Sequence, residues 1–318
     1  VTVSISTGGT ATEGTDYNTI SDITVSAGDL TGTASFTPTN DSVYEINETA
    51  IVSISSVSGA DATESGTQSK TLTITADGDA APTVTLASSA TSIAENAGSS
   101  LTLTATLSNA TNEDVTVGIS TSGTGTEGTD YSTISDITIS AGQTTGTVSF
   151  TPTDDNTYEG NETGIVAIST VSGGSATEDG TQSVTITITE NENAPTVTLA
   201  TSASSIAENA GSSLTLTATL SVATTADVTV AISTSGTGTE GTDYSTISDI
   251  TISAGSTTGT ASFTPSDDSI YEGDETGIVA ISSVSGGSAT EDGTQSVSIT
   301  ITENESSPTI TLATSASS

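Results

Sequence analysis

Apolar residues alternate with threonine and serine along most of the chain. In the stretch 101–107, leucine and alanine occupy the odd positions and threonine the even ones, and the same spacing returns at 115–119 and 184–188. A period of two puts successive side chains on opposite faces of a strand, so these segments predict strands with one buried and one solvated face. Threonine, being β-branched, suits such strands. No stretch shows the 3.6-residue period of a helix, and the pattern predicts an all-β protein.

The sequence also repeats itself over a long period. Pro82, Pro195 and Pro308 stand 113 residues apart, and the segment Ser92–Gly98 recurs as Ser205–Gly211. A repeat of this length matches one β-sandwich rather than a short solenoid unit. We therefore divide the chain into an incomplete repeat at 1–81, complete repeats at 82–194 and 195–307, and the first strand of a further repeat at 308–318.

Turn signals divide the complete second repeat into strands. Gly123–Gly128 contains three glycines, and Asp154–Gly160 combines glycine with aspartate and asparagine, all of which favour turns. The pattern predicts tandem seven-stranded antiparallel immunoglobulin-like sandwiches. The predicted strands are 83–87, 99–108, 114–120, 132–140, 145–152, 163–171 and 183–189.

The two ends of the chain do not coincide with repeat boundaries. Residue 1 falls inside the third strand of a repeat, and residue 318 precedes the point where the next Ile-Ala-Glu-Asn would begin. We expect the chain to be a window of a longer array. The alternative, in which 308–318 completes the first repeat of another subunit, is less favoured because this segment would replace only one of the missing strands.

Composition excludes several classes of function. The chain has 39 acidic residues, a single basic residue (Lys70) and a net charge of −38, with no His, Cys, Met or Trp. Nucleic acids and anionic membranes demand basic residues, so neither is expected as a partner. Catalytic triads with His, thiol chemistry, zinc and haem sites lack their residues. High charge with 31% apolar residues also suggests disorder, but the regular alternation argues against it.

Strand parity places most of the acids of a repeat at one end. If consecutive strands are antiparallel, the connections after the first, third and fifth strands and the exit from the seventh all lie at the same end of the sandwich. In the second repeat these four segments carry eight carboxylates. They are Glu95, Asp130, Asp154, Asp155, Glu159, Glu162, Glu190 and Glu192.

Such a cluster requires neutralisation. Two like charges 4 Å apart repel by about 4 kcal/mol at an effective dielectric of about 20. Ca²⁺, with six to eight oxygen ligands in flexible geometry, suits eight carboxylates and would allow at least two ions, whereas Mg²⁺ and transition metals prefer other surroundings. The alternative, solvated loop charge, is the usual meaning of one acidic loop. We assign that role to the remaining acids of the repeat, which are Glu113, Asp114, Glu127, Asp136, Glu178 and Asp179.

At these residues the chain resembles the Calx-beta domain. The family pattern runs Glu-Asn-x-Gly, Gly-(Thr/Ser)-Asp-Tyr, Asp-Asp-x-x-(Tyr/Phe)-Glu-x-x-Glu and an acidic exit. Here these are Glu95–Gly98, Gly128–Tyr131, Asp154–Glu162 and Glu190–Glu192, and the resemblance covers the whole chain. It implies a seven-stranded immunoglobulin-like sandwich. The family occurs in Na⁺/Ca²⁺ exchanger regulatory loops, in an integrin and in tandem arrays of very large bacterial surface and adhesion proteins.

The resemblance also implies a ligand set, because in calcium-binding members the acids of these motifs bind the ion. The first repeat lacks the leading glutamate and has Asn40 where Asp154 stands, so we expect a weaker site there. Asn191 separates two exit glutamates where the exchanger has consecutive aspartates, which leaves ion number and affinity open. The implied ligands are Glu95, Asp130, Asp154, Asp155, Glu159, Glu162, Glu190 and Glu192; Glu208, Asp243, Asp267, Asp268, Glu272, Glu275, Glu303 and Glu305; and Asp16, Asp41, Glu45, Glu48, Asp77 and Asp79.

The position of the acids suggests their purpose. Only Asn193 and Ala194 separate Glu192 from Pro195, so the acidic end of a repeat is also its junction with the next repeat. Bound Ca²⁺ would order the loops and the linker together and stiffen the array. We predict a non-enzymatic, calcium-binding structural region of an extracellular adhesin stalk or surface filament.

Two other functions remain to be distinguished from this one. A calcium sensor or regulatory module controlling an attached domain is the main alternative, although near-identical copies on short linkers suit a rod better. Glycosidase chemistry would require an aromatic-lined cleft, for which the aromatic residues are too few. The expected partners are neighbouring repeats of the same chain and, in a fibre, identical chains, with no nucleic acid and no direct membrane insertion.

Overall fold

The computed structural model describes residues 1–76 and 78–315, and its regular secondary structure is entirely β-strand. The prediction of an all-β protein is therefore confirmed for these residues. In the same residues there is no helix long and apolar enough to cross a membrane.

The strands follow the three repeats in order. The described part of the first repeat contains β1 (Thr2–Gly9), β2 (Ile23–Thr24), β3 (Glu48–Ser58) and β4 (Ser69–Ile74). The second repeat contains β5 (Thr83–Ser88), β6 (Ser92–Ala94), β7 (Leu101–Leu107), β8 (Val115–Gly123), β9 (Ile137–Ile139), β10 (Thr145–Phe150), β11 (Thr157–Tyr158), β12 (Glu162–Ser172), β13 (Thr177–Glu178) and β14 (Ser183–Thr189). The third repeat contains β15 (Thr196–Thr201), β16 (Ser205–Ala207), β17 (Leu214–Leu220), β18 (Ala223–Thr224), β19 (Val228–Gly236), β20 (Ile250–Ile252), β21 (Thr258–Phe263), β22 (Glu275–Ser285), β23 (Thr290–Glu291) and β24 (Ser296–Thr302).

The complete repeats share one sheet topology. The second repeat has sheets in the orders β10-β7-β5-β13 and β6-β14-β12-β8-β9, and the third has β21-β17-β15-β23 and β16-β24-β22-β19-β20. The first repeat shows the sheet β2-β1-β3-β4, which corresponds to β9-β8-β12-β14. Identical sequence patterns thus produce identical pairing.

The core of the third repeat lies between its two sheets. Leu216 and Phe263 come from one sheet, Val230 and Ile299 come from the other, and all four are fully buried in one cluster. Alternating apolar residues of facing strands therefore meet as the sequence pattern predicts, which is the arrangement of a β-sandwich.

One predicted strand is much shorter in the structure. The segment 132–140 was expected to be a strand, but only Ile137–Ile139 pairs, with β8. The preceding residues form a loop in which the Ile134 N–H donates to Glu127 Oε1 at 2.6 Å. The short strands β6, β11 and β13 were not predicted, because two or three residues carry no readable periodicity.

An aromatic pair supports the acidic end of each repeat. In the third repeat the ring of Tyr244, next to Asp243, stacks on Phe263 with 4.6 Å between ring centroids. Gly277 permits this packing, since a Cβ there would lie 2.8 Å from the Phe263 ring. The loop that carries Asp243 is consequently held in place by the buried ring pair of Tyr244 and Phe263.

The chain forms two compact units. The first comprises Val1–Ile93, Ala97–Pro152 and Thr163–Thr187, and the second comprises Ala94–Asn96, Thr153–Glu162 and Ile188–Ser318. The second unit therefore includes the acidic loops of the second repeat together with the third repeat. These bounds differ from the repeat boundaries at 81/82, 194/195 and 307/308, which stay predictions.

Candidate metal centre

In the third repeat the predicted acids form one group. Glu208 lies at its centre, since its carboxylate falls in two sets of three acids whose oxygens all lie within 4.8 Å of one another. One set is completed by Asp268 and Glu272, and the other by Glu303 and Glu305. Antiparallel parity thus places separate loops of this repeat together.

The remaining acids of the third repeat adjoin this group. Burial, followed by the charges of Asp243 and Glu272, raises the pKa of Glu275. Burial, followed by the charges of Glu303, Asp268 and Asp267, raises the pKa of Glu208. All eight predicted acids of this repeat therefore share one electrostatic environment.

Glu303 ties two acidic loops together through backbone hydrogen bonds. Its Oε2 accepts the N–H groups of Glu272 and Gly273 at 2.6 and 2.8 Å, and its Oε1 accepts that of Glu305 at 2.9 Å. These donors lower the pKa of Glu303 to about 2. Glu303 is therefore ionised at neutral pH, and its carboxylate connects the two loops.

Glu305, two residues later, has the opposite environment. The adjacent Glu303 carboxylate, followed by burial, raises its pKa to about 7. Its Oε2 is buried and has no hydrogen-bond partner. A carboxylate in this position requires either a proton or a cation.

The second repeat reproduces this arrangement in its exit segment. Glu95, Glu190 and Glu192 place their oxygens within 4.8 Å of one another. Glu190 Oε2 accepts the N–H groups of Glu159 and Gly160 at 2.6 and 2.7 Å, as Glu303 does in the third repeat. Burial raises the pKa of Glu95 to about 7, and the buried Glu192 Oε2 has no hydrogen-bond partner.

The other predicted acids of the second repeat lie in both compact units. In the first unit, Asp130 Oδ2 accepts the Thr126 N–H. In the second unit, Asp155 Oδ1 accepts the Thr157 N–H, and Glu162 is the first residue of β12. The pKa of Glu192 is raised by Glu190 and burial, with a further contribution from the charge of Asp154.

The first repeat retains a smaller group. Asp16, Glu45 and Glu48 place their oxygens within 4.8 Å of one another. Glu48 is only 9% exposed, its buried Oε2 has no hydrogen-bond partner, and burial followed by the charges of Asp16 and Glu45 raises its pKa to about 7. Asp41 instead accepts the Val43 N–H at 2.8 Å, Asp79 is half-buried, and Asp77 lies outside the described residues.

The long acidic loop of a repeat also contacts the repeat that follows. In the first unit the Tyr44 N–H donates to Ala110 O at 2.7 Å, and Tyr44 forms a parallel bridge with Thr111. In the second unit β11 pairs in parallel with β18, so that Tyr158 lies opposite Thr224. This pairing was not predicted, although the sequence carries one signal for it: a tyrosine follows a threonine, valine or isoleucine within each acidic loop.

The acids assigned to surface solvation have a structural role that the sequence analysis also missed. Five of the six accept a backbone N–H that would otherwise lie open in a loop or bulge. The pairs are Glu113 with Gly174, Asp114 with Ala141, Glu127 with Ile134, Asp136 with Ile119, and Glu178 with Gln182. The earlier interpretation was incomplete, because one sequence does not reveal which N–H groups lack a strand partner.

Fold and site together define a class: tandem immunoglobulin-like sandwiches that each carry a cluster of acids, with the acidic loops of the first two repeats contacting the repeat that follows. The family model of the Calx-beta domain matches residues 1–78, 77–192 and 190–305. The chain belongs to the Calx-beta domain family, and the resemblance stated from the motifs is confirmed.

Solved structures and curated proteins were compared as well. CBD12 from CALX1.2 is 14% identical with a TM-score of 0.31, covering 68% of this chain and 99% of its own. The calcium binding domain CBD12 of CALX1.1 is 15% identical with a TM-score of 0.27, covering 61% and 77%. The Yersinia pseudotuberculosis adhesin InvE is 12% identical with a TM-score of 0.31, covering 69% and 58%. Among curated proteins the comparison finds no match. Family membership therefore rests on the family model.

Proposed function

We propose that the chain is a calcium-binding structural array in which Ca²⁺ orders the junctions between domains. The observation that carries the proposal is the set of buried carboxylate oxygens without hydrogen-bond partners on Glu48, Glu192 and Glu305, one in each repeat. Each lies within a group of three acids, and in the first two repeats the acidic loop beside this group contacts the next repeat. A bound cation would supply the missing partner in all three places.

The donor set fits Ca²⁺. The oxygens of each group lie within 4.8 Å of one another, about twice a Ca²⁺–oxygen distance of about 2.4 Å. All donors are carboxylates with nearby backbone groups, which hard cations prefer over transition metals. Lys70, the one basic side chain of the sequence, is on β4 and lies opposite Val52 in the sheet.

The acidic loop supplies the link between ion and junction. Residues 153–162 contain four of the acids as well as β11, which pairs with β18 of the next repeat. A cation that fixes the carboxylates of this loop also fixes its paired backbone. Without a cation, mutual repulsion of the carboxylates would loosen the loop and the junction together.

We place this array in an extracellular adhesin stalk or surface filament. Three near-identical repeats in series add length, and the few aromatic residues stand at equivalent positions in the sequence of each repeat, as expected for structural rather than ligand-recognising residues. We propose a structural role, and no catalytic role, for the acidic clusters of the three repeats.

Small-angle X-ray scattering of the whole chain in 2 mM Ca²⁺, 2 mM Mg²⁺ and chelator tests the proposal. We expect a longer maximum dimension and a narrower distance distribution in Ca²⁺ only. Calorimetry on the same samples shows whether the ion binds. Binding without any change in scattering would contradict the stiffening mechanism, and absence of binding would contradict the whole proposal. Filaments of isolated chains seen by electron microscopy would favour the filament over the stalk.

A further inference from the structure

We propose that Asn112 of the second repeat is a cation ligand in the Asp16, Glu45 and Glu48 cluster of the first repeat. The inference rests on the proposed function and deepens it, because it gives one junction a ligand set drawn from both repeats. Asn112 Nδ2 donates a hydrogen bond to Glu48 Oε1 at 3.3 Å, so the amide already lies against the cluster.

Apart from this contact, the three acids of the cluster supply too few oxygens to complete the coordination of Ca²⁺. Glu48 is nine-tenths buried, its Oε2 has no hydrogen-bond partner, and its Oε1 accepts the Asn112 amide. Three carboxylates supply too few oxygens for a cation that takes six to eight, unless all are bidentate or further groups contribute. An amide oxygen is a suitable additional ligand.

The spacing allows this role. A half-turn of the Asn112 carboxamide exchanges its nitrogen and oxygen, which puts the oxygen at the present position of Nδ2. Two oxygens bound to one Ca²⁺ at about 2.4 Å, at about 90° to each other, lie about 3.4 Å apart. The present separation from Glu48 Oε1 is 3.3 Å, so a cation between the two groups requires rotation of the amide and no movement of the backbone.

Asn112 is firmly attached to the second repeat. The adjacent Thr111 is 1% exposed, and its carbonyl accepts the Gly142 N–H at 2.8 Å. Its side chain is packed against Gly174 so closely that a Cβ at Gly174 would lie 2.5 Å from Thr111 Cγ2. A cation that holds the Asn112 amide therefore holds the body of the second repeat.

The third repeat has Thr225 at the position of Asn112. The threonine side chain is shorter and its hydroxyl is a weaker ligand than an amide oxygen. We therefore expect the two junctions to differ, with the cross-junction ligand present at the first and absent at the second.

Calorimetric Ca²⁺ titration of the whole chain tests the assignment. To isolate the first cluster, the other two are weakened by Glu95→Gln, Glu192→Gln, Glu208→Gln and Glu305→Gln. In this background Asn112→Ala should weaken the remaining site about tenfold, and Asn112→Asp should leave it equal or tighter because it retains an oxygen ligand. The reciprocal variant Thr225→Asn, in the chain with all clusters intact, should tighten one binding step.

Asn109→Ala is the matched control. Asn109 lies on the same segment but donates to Ala80 O in the linker, so its loss disturbs the junction without touching the cluster. If Asn109→Ala and Asn112→Ala weaken binding equally, or if Asn112→Asp weakens it, the ligand assignment is overturned. Unchanged binding in Asn112→Ala overturns it too, while Ca²⁺ binding by the intact chain would leave the proposed function standing. Melting curves in chelator verify that each variant is folded.

Discussion

Glu303 and Glu305 show how differently two neighbouring carboxylates of one motif are used. Glu303 accepts several backbone N–H groups and has a pKa lowered to about 2, whereas Glu305 has a buried oxygen without a partner and a pKa raised to about 7. The sequence Glu-Asn-Glu contains no sign of this division. The residues of the cluster could be predicted from motif and parity, but the role of each depends on which N–H groups the folded loops direct at it.

Glu305→Gln should separate folding from calcium binding. The change removes a buried charge that lacks a donor, so the free energy of unfolding in chelator should rise, while Ca²⁺ affinity of that repeat should fall about tenfold. Urea unfolding and calorimetry measure the two quantities. The control Glu291→Gln alters a carboxylate that accepts the Gln295 N–H outside the cluster, and it should leave calcium binding unchanged. A Glu305→Gln chain that binds Ca²⁺ normally would contradict the assignment.

Asp249 illustrates an acid with a purely structural role. Its Oδ1 accepts the Ile232 N–H at 3.0 Å, at the point where the register between β19 and β22 shifts by one residue. Asp249→Ala leaves this N–H without its partner and should destabilise the chain by about 1 kcal/mol. Asp249→Asn keeps an acceptor and should recover most of the loss in urea unfolding. Neither variant should change Ca²⁺ affinity, and a change would place Asp249 in the metal site.

The raised pKa values of Glu48, Glu95 and Glu305 give a pH dependence of defined sign. Each moves from an ordinary value of 4.5 to about 7 in the folded chain, so the folded state binds the proton more tightly than the unfolded state. In chelator, their contribution to stability is complete below about pH 4.5 and is lost as the pH rises to about 7. In Ca²⁺, the stabilisation by the ion should grow over the same interval.

Urea unfolding midpoints between about pH 5 and pH 8, with and without Ca²⁺, measure this dependence. The triple variant Glu48→Gln, Glu95→Gln and Glu305→Gln should show a flatter curve in chelator, which separates these three groups from the general repulsion of a highly acidic chain. Stability in chelator that increases across this range would contradict the assignment.

At the scale of elements, strand parity decides where the acids meet. The long strands could be predicted because apolar and polar residues alternate over six or more positions, as in β7 and β14. The short pairs β11 with β18, and Tyr44 with Thr111, could not, since they depend on a neighbouring repeat and carry no pattern of their own. The alternation therefore predicted the sandwich, and the element that joins one repeat to the next was not predicted.

Tyr44→Pro tests the pairing element. Proline removes the N–H that donates to Ala110 O, so the first junction should become more mobile even in Ca²⁺. Distance distributions between spin labels on the first and second repeats should broaden. Tyr271→Pro alters the equivalent loop of the third repeat, where the tyrosine is 45% exposed, and controls for the effect of proline on the loop itself. Unchanged distances in Tyr44→Pro would show that the backbone pairing does not hold the junction.

At the scale of the whole molecule, the acidic residues that give the net charge of −38 have three roles. Some acids form the clusters, some accept backbone N–H groups within loops, and the rest face solvent. Basic residues are almost absent, so no side chain competes with a cation for the clusters. A chain of this charge is expected to depend on cations for stability more than an ordinary domain does.

Calcium should therefore raise the thermal stability of the chain in a way that general screening does not. Free Ca²⁺ at about 100 times the dissociation constant stabilises by about 2.7 kcal/mol for each independent site. Scanning calorimetry should show a larger rise in Tm in 2 mM Ca²⁺ than in sodium chloride of the same ionic strength, with Mg²⁺ between them. Equal shifts in the two salts would mean that screening alone stabilises the chain.

The pairing of β11 with β18 uses backbone groups, and the sequence of each complete repeat carries an equivalent of both segments, namely Thr157–Tyr158 with Thr111 in the second repeat and Ile270–Tyr271 with Thr224 in the third. Duplication or deletion of one whole repeat would therefore join a compatible loop to a compatible strand without any new side-chain fit. Unequal recombination between the near-identical gene segments would change the length of the array in a single event and leave every junction workable. Array length is thus expected to vary between closely related versions of this protein far more readily than the sequence of the domains.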